Sequence, residues 1–323
     1  MRKLLLAAAI ALSGIGLSQS ANAQTPISTA TLVVRDTAVK PTLVAPTTAI
    51  TCSGALDTLT ITGGNRGFGG KWQWYAGSCG GTPITTDSAT GRAILNVPTN
   101  STNAPIVYKY YLRSIGGACA SSFCDSTSIT VNPAATMIAT ADDTACNGIA
   151  RSYTFSSNNT GGAVTYNWVN NNTATGIGAS GTGNIPSTTL TNTTNADIVS
   201  RIIVTPTFAN GGSACSGVSD TFFVVVHPSP NGTLTVNTPI CEGQAVNLTY
   251  TNTPGLASPA PYALEVRQYN STTTPPAAPY TQYTGVTSGN AFPGAAPLPT
   301  AASTWKFDLM KITDRNGCVR SAQ

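Results

Sequence analysis

Eight cysteines, one histidine and two glutamates have the greatest chemical reach in this 323-residue sequence. The cysteines are Cys52, Cys79, Cys119, Cys124, Cys146, Cys215, Cys241 and Cys318. No pair has the C-x-x-C spacing of a zinc knuckle or redox site, and a single His227 cannot complete a metal shell. The cysteines therefore read as disulfides, with no metal and no cofactor. His227 sits beside Pro228 and reads as a joint residue. Glu242 and Glu265 are the one carboxylate pair a glycosidase could use, but Glu242 follows Cys241 in a turn and nothing brings Glu265 to it. Asp142-Asp143 lacks the oxygen set of a calcium loop and reads as a turn. With no convergent acid, base or nucleophile, the sequence names no catalytic residue and predicts a protein that is not an enzyme.

The composition supports that reading. Only 9% of residues are charged and the net charge of +4 is dispersed, which excludes the basic groove of a nucleic-acid binder. The chain has 31 Gly and 21 Pro, abundant Thr, Ser and Asn, and glutamate only at Glu242 and Glu265. That is an all-β composition of short strands and many turns. Residues 1–23 form a signal peptide: Arg2-Lys3, an apolar run from Leu4 to Leu17, then Ala21-Asn22-Ala23 as the cleavage site. The apolar run is too short to span a bilayer comfortably and no later stretch replaces it, so the mature chain is not membrane-spanning. It is expected to be secreted or held on the outer cell surface.

A three-fold repeat organises the mature chain. Thr42-Leu43-Val44-Ala45 precedes Cys52, Leu59 and Ile61, and Thr136-Met137-Ile138-Ala139 precedes Cys146, Tyr153 and Phe155. Thr233-Leu234-Thr235-Val236 likewise precedes Cys241, Leu248 and Tyr250. The apolar pair keeps its offset from the cysteine and is spaced by two, so both members share one face of a strand. The copies recur about every 95 residues and set boundaries at 41–133, 134–230 and 231–323, after an N-terminal segment 24–40. Ile129-Thr130-Val131-Asn132-Pro133 and Val224-Val225-Val226-His227-Pro228 close the first two copies, each strand being stopped by its proline. Copy three reaches Gln323 before such a strand, so either the chain is a fragment or another strand fills the gap. Ala30 to Arg35 reads as a spare strand with no partner in sight.

Each complete copy places tryptophan on a central strand, Trp72 and Trp74 in the first and Trp168 in the second. Trp74 and Trp168 are assigned to the core against a disulfide. An exposed sugar-binding platform falls on Trp72 or Tyr75 instead. Within copies, Cys146 has only Cys215 and Cys241 only Cys318. In copy one, Cys52 pairs with Cys119, leaving Cys79 with Cys124, or Cys52 pairs with Cys124. A bridge between copies would break these boundaries.

Tyr166-Asn167-Trp168 through Gly181-Thr182-Gly183-Asn184-Ile185-Pro186 to Cys215 and the Val-rich end resembles the PKD-like modules of large bacterial surface proteins. Trp74-Tyr75, Cys79-Gly80-Gly81-Thr82 and Tyr110-Tyr111-Leu112-Arg113 resemble the Ig-like modules of the same proteins, and Phe307 to Cys318 is similar to the end of a third. The resemblance implies tandem immunoglobulin-like (PKD-like) β-sandwiches, Ig-like at 41–133 and PKD-like at 134–230, with the last lacking its closing strand. It implies export by the type IX secretion system, a role in adhesion, and no catalytic residues. Asp36-Thr37, Asp57-Thr58, Asp87-Ser88, Asp125-Ser126 and Asp143-Thr144 resemble the O-glycosylation acceptors of such bacteria, which would place glycan on Thr37, Thr58, Ser88, Ser126 and Thr144. The expected function is a non-catalytic surface spacer or adhesin with an unidentified glycan or protein ligand. The alternatives are a carbohydrate-binding region of a larger secreted enzyme and a filament subunit that self-associates by donating Ala30–Arg35 as a strand.

Overall fold

The computed structural model describes residues 30–119, 123–294 and 301–322, so the predicted signal peptide at 1–23 lies outside the described residues. Strands dominate, and the one helical element among the described residues is a 3-10 turn at Thr173–Thr175. No described helix is long and apolar enough to cross a membrane.

Period-two patterning builds three pairs of sheets. In the first pair, Leu43–Pro46, Leu56–Thr62 and Ala93–Asn96 form one sheet. It faces a sheet ordered Ile50–Cys52, Asp125–Asn132, Ile106–Ile115, Lys71–Ala76, Thr82–Ile84. Between them lie Leu59, Trp72, Trp74, Leu95, Leu112, Ile129 and Val131. In the second pair, Ala150–Tyr153 and Ile185–Thr189 cover a six-stranded sheet centred on Ala163–Asn170, Ile198–Asn210 and Asp220–His227. Its core holds Tyr153, Phe155, Trp168, Ile202, Val204 and Phe222. The third core holds Tyr250, Tyr262, Leu264, Val266 and Ile312, with Leu234 and Phe292 against it. Every residue of a core comes from one of the three sequence copies. The apolar pairs after Cys52, Cys146 and Cys241 serve these cores, with Leu59, Leu248 and Tyr250 fully buried and Tyr153 and Phe155 nearly so.

In the first two units a short edge strand covers the closing strand. Asp125–Asn132 pairs in parallel with Ile50–Cys52, and Asp220–His227 with Asp143–Cys146. These pairings set Cys52 opposite Asn132 and Cys146 opposite His227, just before the strand-ending prolines. In the third unit the closing position holds only Val319–Ser321, paired with Lys311–Thr313, where the sequence predicts no strand. The predicted strand Ala30–Arg35 does not form. Leu32 and Val34 are 87% and 85% exposed, and pairing begins only at an isolated bridge between Val39 and Asn65.

The disulfides correct the expected pattern. Cys52 bonds to Cys215 and Cys146 to Cys318, while Cys119 and Cys241 carry free thiols. Cys79–Cys124 is the one bond that stays within its copy. The within-copy pairs Cys146–Cys215, Cys241–Cys318 and Cys52 with Cys119 or Cys124 are not formed, for a geometric reason. The parallel pairing carries Cys52 and Cys146 to the far tip of their unit. The hairpins bearing Cys215 and Cys318 stand at the near tip of the next. The sulfur bonds thus cross the boundaries that the sheets and cores respect.

The two core tryptophans differ in how their indole N–H is satisfied. Trp74 Nε1 donates to the Gly91 carbonyl at 2.7 Å, whereas buried Trp168 Nε1 has no partner among the described residues. Trp74→Phe should therefore cost about 1–2 kcal/mol more than Trp168→Phe, because it strands a buried carbonyl as well as losing ring volume. Denaturant unfolding of the two variants checks this. Burial, reinforced by Tyr108 and Asp57, pushes the Tyr110 phenol up to about 12. A folded value above the unfolded one means the contribution is whole below about pH 10 and is lost as pH climbs toward 12. Tyr110→Phe should flatten that alkaline loss in pH-dependent thermal melts.

Candidate functional site

The groups singled out for chemistry are scattered, and most are engaged locally, while Glu242 is exposed. His227 Nδ1 lies 2.8 Å from Asp197, Glu265 holds Lys311 at 3.0 Å, and Asp143 accepts from Arg151 and Tyr153. Burial, then the bond to Asp143, raises the Tyr153 phenol above its ordinary range. Asp142 accepts the Phe223 N–H at 2.8 Å. Among the described residues no three His, Cys, Asp or Glu side chains gather as a metal site would need.

Trp72 is not a platform for sugar. It is 4% exposed and turned into the core, 6.1 Å from Phe123, because alternation puts it on the same face as Trp74. Tyr75 faces outward, half-buried, and the register sets it directly opposite Tyr111, with Gln73 opposite Arg113 beside them. Tyr111 has no role that the sequence alone suggests, since only pairing across strands reveals it. Of the glycan-acceptor candidates, Thr37, Ser126 and Thr144 are exposed, while Thr58 and Ser88 are half-buried. Asp57 is buried and accepts from the Thr48 N–H and hydroxyl, and Asp87 caps a turn through the N–H groups of Ala89 and Thr90. Those two aspartates therefore have structural roles.

What the fold does gather is a pair of joints built to one plan. At the far tip of the first unit, Asn100 donates to the carbonyls of Ala104 and Val131 and accepts from the Thr102 N–H and hydroxyl. Asn192 repeats each bond with Ala196, Val226 and Thr194. The turns so held, Thr99-Asn100-Ser101-Thr102-Asn103-Ala104 and Thr191-Asn192-Thr193-Thr194-Asn195-Ala196, each offer a carbonyl to the following unit. Asn103 accepts from the Thr160 N–H at 2.8 Å and Asn195 from the Ala257 N–H at 2.6 Å. The residue after each bonded cysteine braces the turn: the Asn100 N–H donates to Ser53 Oγ and the Asn192 N–H to Asn147 Oδ1. A disulfide completes each joint, Cys52–Cys215 and Cys146–Cys318.

Small residues let the first joint close. Gly211, with φ of +57°, leaves room for Ile50, which any side chain at 211 would strike. Asn210 and Asn132 exchange amide hydrogen bonds at 3.0 and 3.2 Å across the seam. An open groove of about 690 Å³ flanks the second joint, lined by Asn147, Ser229, Lys311 and Arg320 among others. The motif Thr-Asn-x-Thr-Asn-Ala that forms these turns occurs twice in the sequence, but only the structure shows that it faces a neighbour.

Residues 39–133 match the family described as "Ig-like domain CHU_C associated". No curated protein matches the chain. Among solved structures, the chicken CNTN1 FN1-FN3 domains align over 89% of this chain and 97% of theirs, at 10% identity and a TM-score of 0.32. The Sidekick-1 immunoglobulin domains 1-5 align over 90% of this chain and 58% of theirs, at 11% identity and a TM-score of 0.34. At such scores the likeness adds nothing to what the sheets establish. The protein is an all-β chain of tandem Ig-like sandwiches, and the family match falls on the first of them.

Asn192→Ala should remove the bonds that hold the second joint's turn and strand the buried Val226 carbonyl, costing about 2–4 kcal/mol. In a unit of this size that lowers its melting midpoint by roughly 10–20 °C, readable by calorimetry. Asn100→Ala should do the same to the first unit.

Proposed function

We propose that the protein is a non-catalytic, exported cell-surface spacer and adhesin, with folding modules at 41–133, 134–230 and 231–323. One observation carries the reading: both junctions are held by more than one link, a sulfur bond and a hydrogen bond to the carbonyl of a braced turn. A single-point junction swivels. A second link removes most of that freedom, which suits an arm that holds a binding surface away from a cell. A loop of about 165 residues closed by a disulfide also constrains the unfolded chain, by about 5 kcal/mol in the chain-entropy picture. The disulfides and the sequence of residues 1–23 support an oxidising destination, secreted or on the outer surface. The family match on the first unit supports bacterial surface export, and glycan on Thr37, Ser126 and Thr144 belongs to the same reading.

A second reading, carbohydrate binding, is favoured by Tyr75 and Tyr111 standing side by side on an outward face next to Gln73 and Arg113. Neighbouring tyrosines with an arginine beside them suit a sugar ring. Strand donation by Ala30–Arg35 has less support, since that stretch lies unpaired beside its own first unit.

Small-angle scattering of residues 24–323 should give one narrow set of maximum dimensions for a stiff arm. The Cys52→Ser/Cys215→Ser variant should broaden that set and melt at lower temperature, while far-UV circular dichroism at 20 °C shows the units still folded. An unchanged profile would remove the disulfide from the stiffening account. Glycan-array binding lost in Tyr75→Ala and Tyr111→Ala at unchanged stability would move the weight to the second reading.

A further inference from the structure

The outward face of the first unit's five-stranded sheet carries charge of one sign only. Alternation along Ile106–Ile115 sends Lys109, Tyr111 and Arg113 outward, about 7 Å from one to the next. On the neighbouring strand Lys71, Gln73 and Tyr75 face the same way, with Gln73 opposite Arg113 and Tyr75 opposite Tyr111. No residue on this face of the five strands is a carboxylate. Asp125 stands opposite buried Leu112 and so belongs to the inner side, where it meets Lys40 at 3.4 Å. In the third unit the matching strands, Tyr262–Asn270 and Trp305–Thr313, neutralise their own cations. Lys311 meets Glu265 at 3.0 Å and Arg267 meets Asp308 at 2.6 Å. The ion pairs among the described residues use Lys40, Arg151, His227, Arg267 and Lys311, which leaves Lys71, Lys109 and Arg113 with none.

Arg113 is the centre of the face. The Cys79–Cys124 bond pins the hairpin that follows Lys71–Ala76, and Arg113 Nη1 lies 3.8 Å from where a Cβ on Gly80 of that hairpin would stand. Arg113 Nε is buried and has no hydrogen-bond partner among the described residues. Holding a cationic donor away from water without an acceptor is costly, and an anion on the guanidinium offsets that cost. Gln73 is fixed beside it. Its Nε2 donates to the Ile84 carbonyl at 2.6 Å and the Trp74 carbonyl at 2.9 Å, which leaves the amide oxygen to accept.

We propose that this face binds an acidic polysaccharide, a chain of uronate rings, with a ring carboxylate on Arg113 and the ring itself against Tyr75 and Tyr111. The proposal rests on the carbohydrate-binding reading and adds the charge of the sugar. A guanidinium matches a carboxylate in one plane, and with Nε shielded the two Nη groups are the donors that meet it. The tyrosines, their Cβ atoms about 5 Å apart across the strands, supply the apolar surface for the ring. The Gln73 amide oxygen accepts from a ring hydroxyl. Lys71 and Lys109 stand at opposite ends of this row and carry the positive field past a single ring, which favours a polymer over one sugar.

Residues 24–323 are prepared without glycan, because one on Ser126, opposite Tyr111, would cover the same face. The protein is titrated with polygalacturonate, with its methyl ester and with polyglutamate. Binding to polygalacturonate is expected to weaken with salt and to fall about tenfold in Arg113→Gln and in Tyr111→Ala, with circular dichroism unchanged. Arg113→Lys, which keeps the charge without the planar fork, should restore only part of the loss. The methyl ester keeps the rings and removes the charge, so its failure to bind supports the proposal on the unaltered protein. Equal binding of ester and acid would overturn the proposal and leave the carbohydrate reading standing. Polyglutamate binding as tightly as polygalacturonate, or affinity that survives Arg113→Gln, would also overturn it. Absence of any binding to polygalacturonate would do the same, while the glycan array decides the carbohydrate reading separately.

Discussion

The parallel pairing of a short strand with the closing strand is the constraint on which the rest depends. Ile50–Cys52 and Asp143–Cys146 run alongside the last strand of their own sandwich and end level with it. An antiparallel pairing would turn the chain back toward the start of the unit. The parallel one delivers a cysteine to the tip where the next unit begins, and proline at 133 and 228 ends the ladder there. Sulfur chemistry at the tip therefore couples neighbours rather than the two sheets of one sandwich.

Sheet stability comes from elsewhere. In the first two units a tryptophan on the central strand lies among aliphatic and aromatic residues of both sheets, and in the third Tyr250 and Tyr262 meet at 4.8 Å. Burying rings of this size stabilises each sandwich by several kcal/mol without an inter-sheet bridge. The cysteines are then free to serve the joints. The Asn100 and Asn192 turns add a second hold, through backbone groups that any sequence carries but that only a rigid turn can aim.

Much of this was legible in the residues. Alternation along Lys71–Ala76 and Ala163–Asn170 sends Trp72, Trp74 and Trp168 inward, and the fixed offset from cysteine to apolar pair marks an inward-facing strand in every copy. The outward reading of Trp72 fails on that same alternation, which allows no second orientation once Trp74 is committed to the core. The cysteine partners were not legible. Counting within a repeat assumes that a bond closes inside its unit, and nothing local distinguishes Cys215 as a partner of Cys146 from Cys215 as a partner of Cys52.

The sequence by itself determined the strands that carry the repeat, their inward faces and the three-fold recurrence, because side-chain periodicity and turn residues act over a few positions and need no partner to be read. Tertiary structure alone decided which cysteines meet, that Tyr75 stands against Tyr111, and that two asparagine turns grip the units after them. Those relations join residues from 36 to 172 positions apart, and their physical basis is the direction in which paired strands run and the place where each one stops.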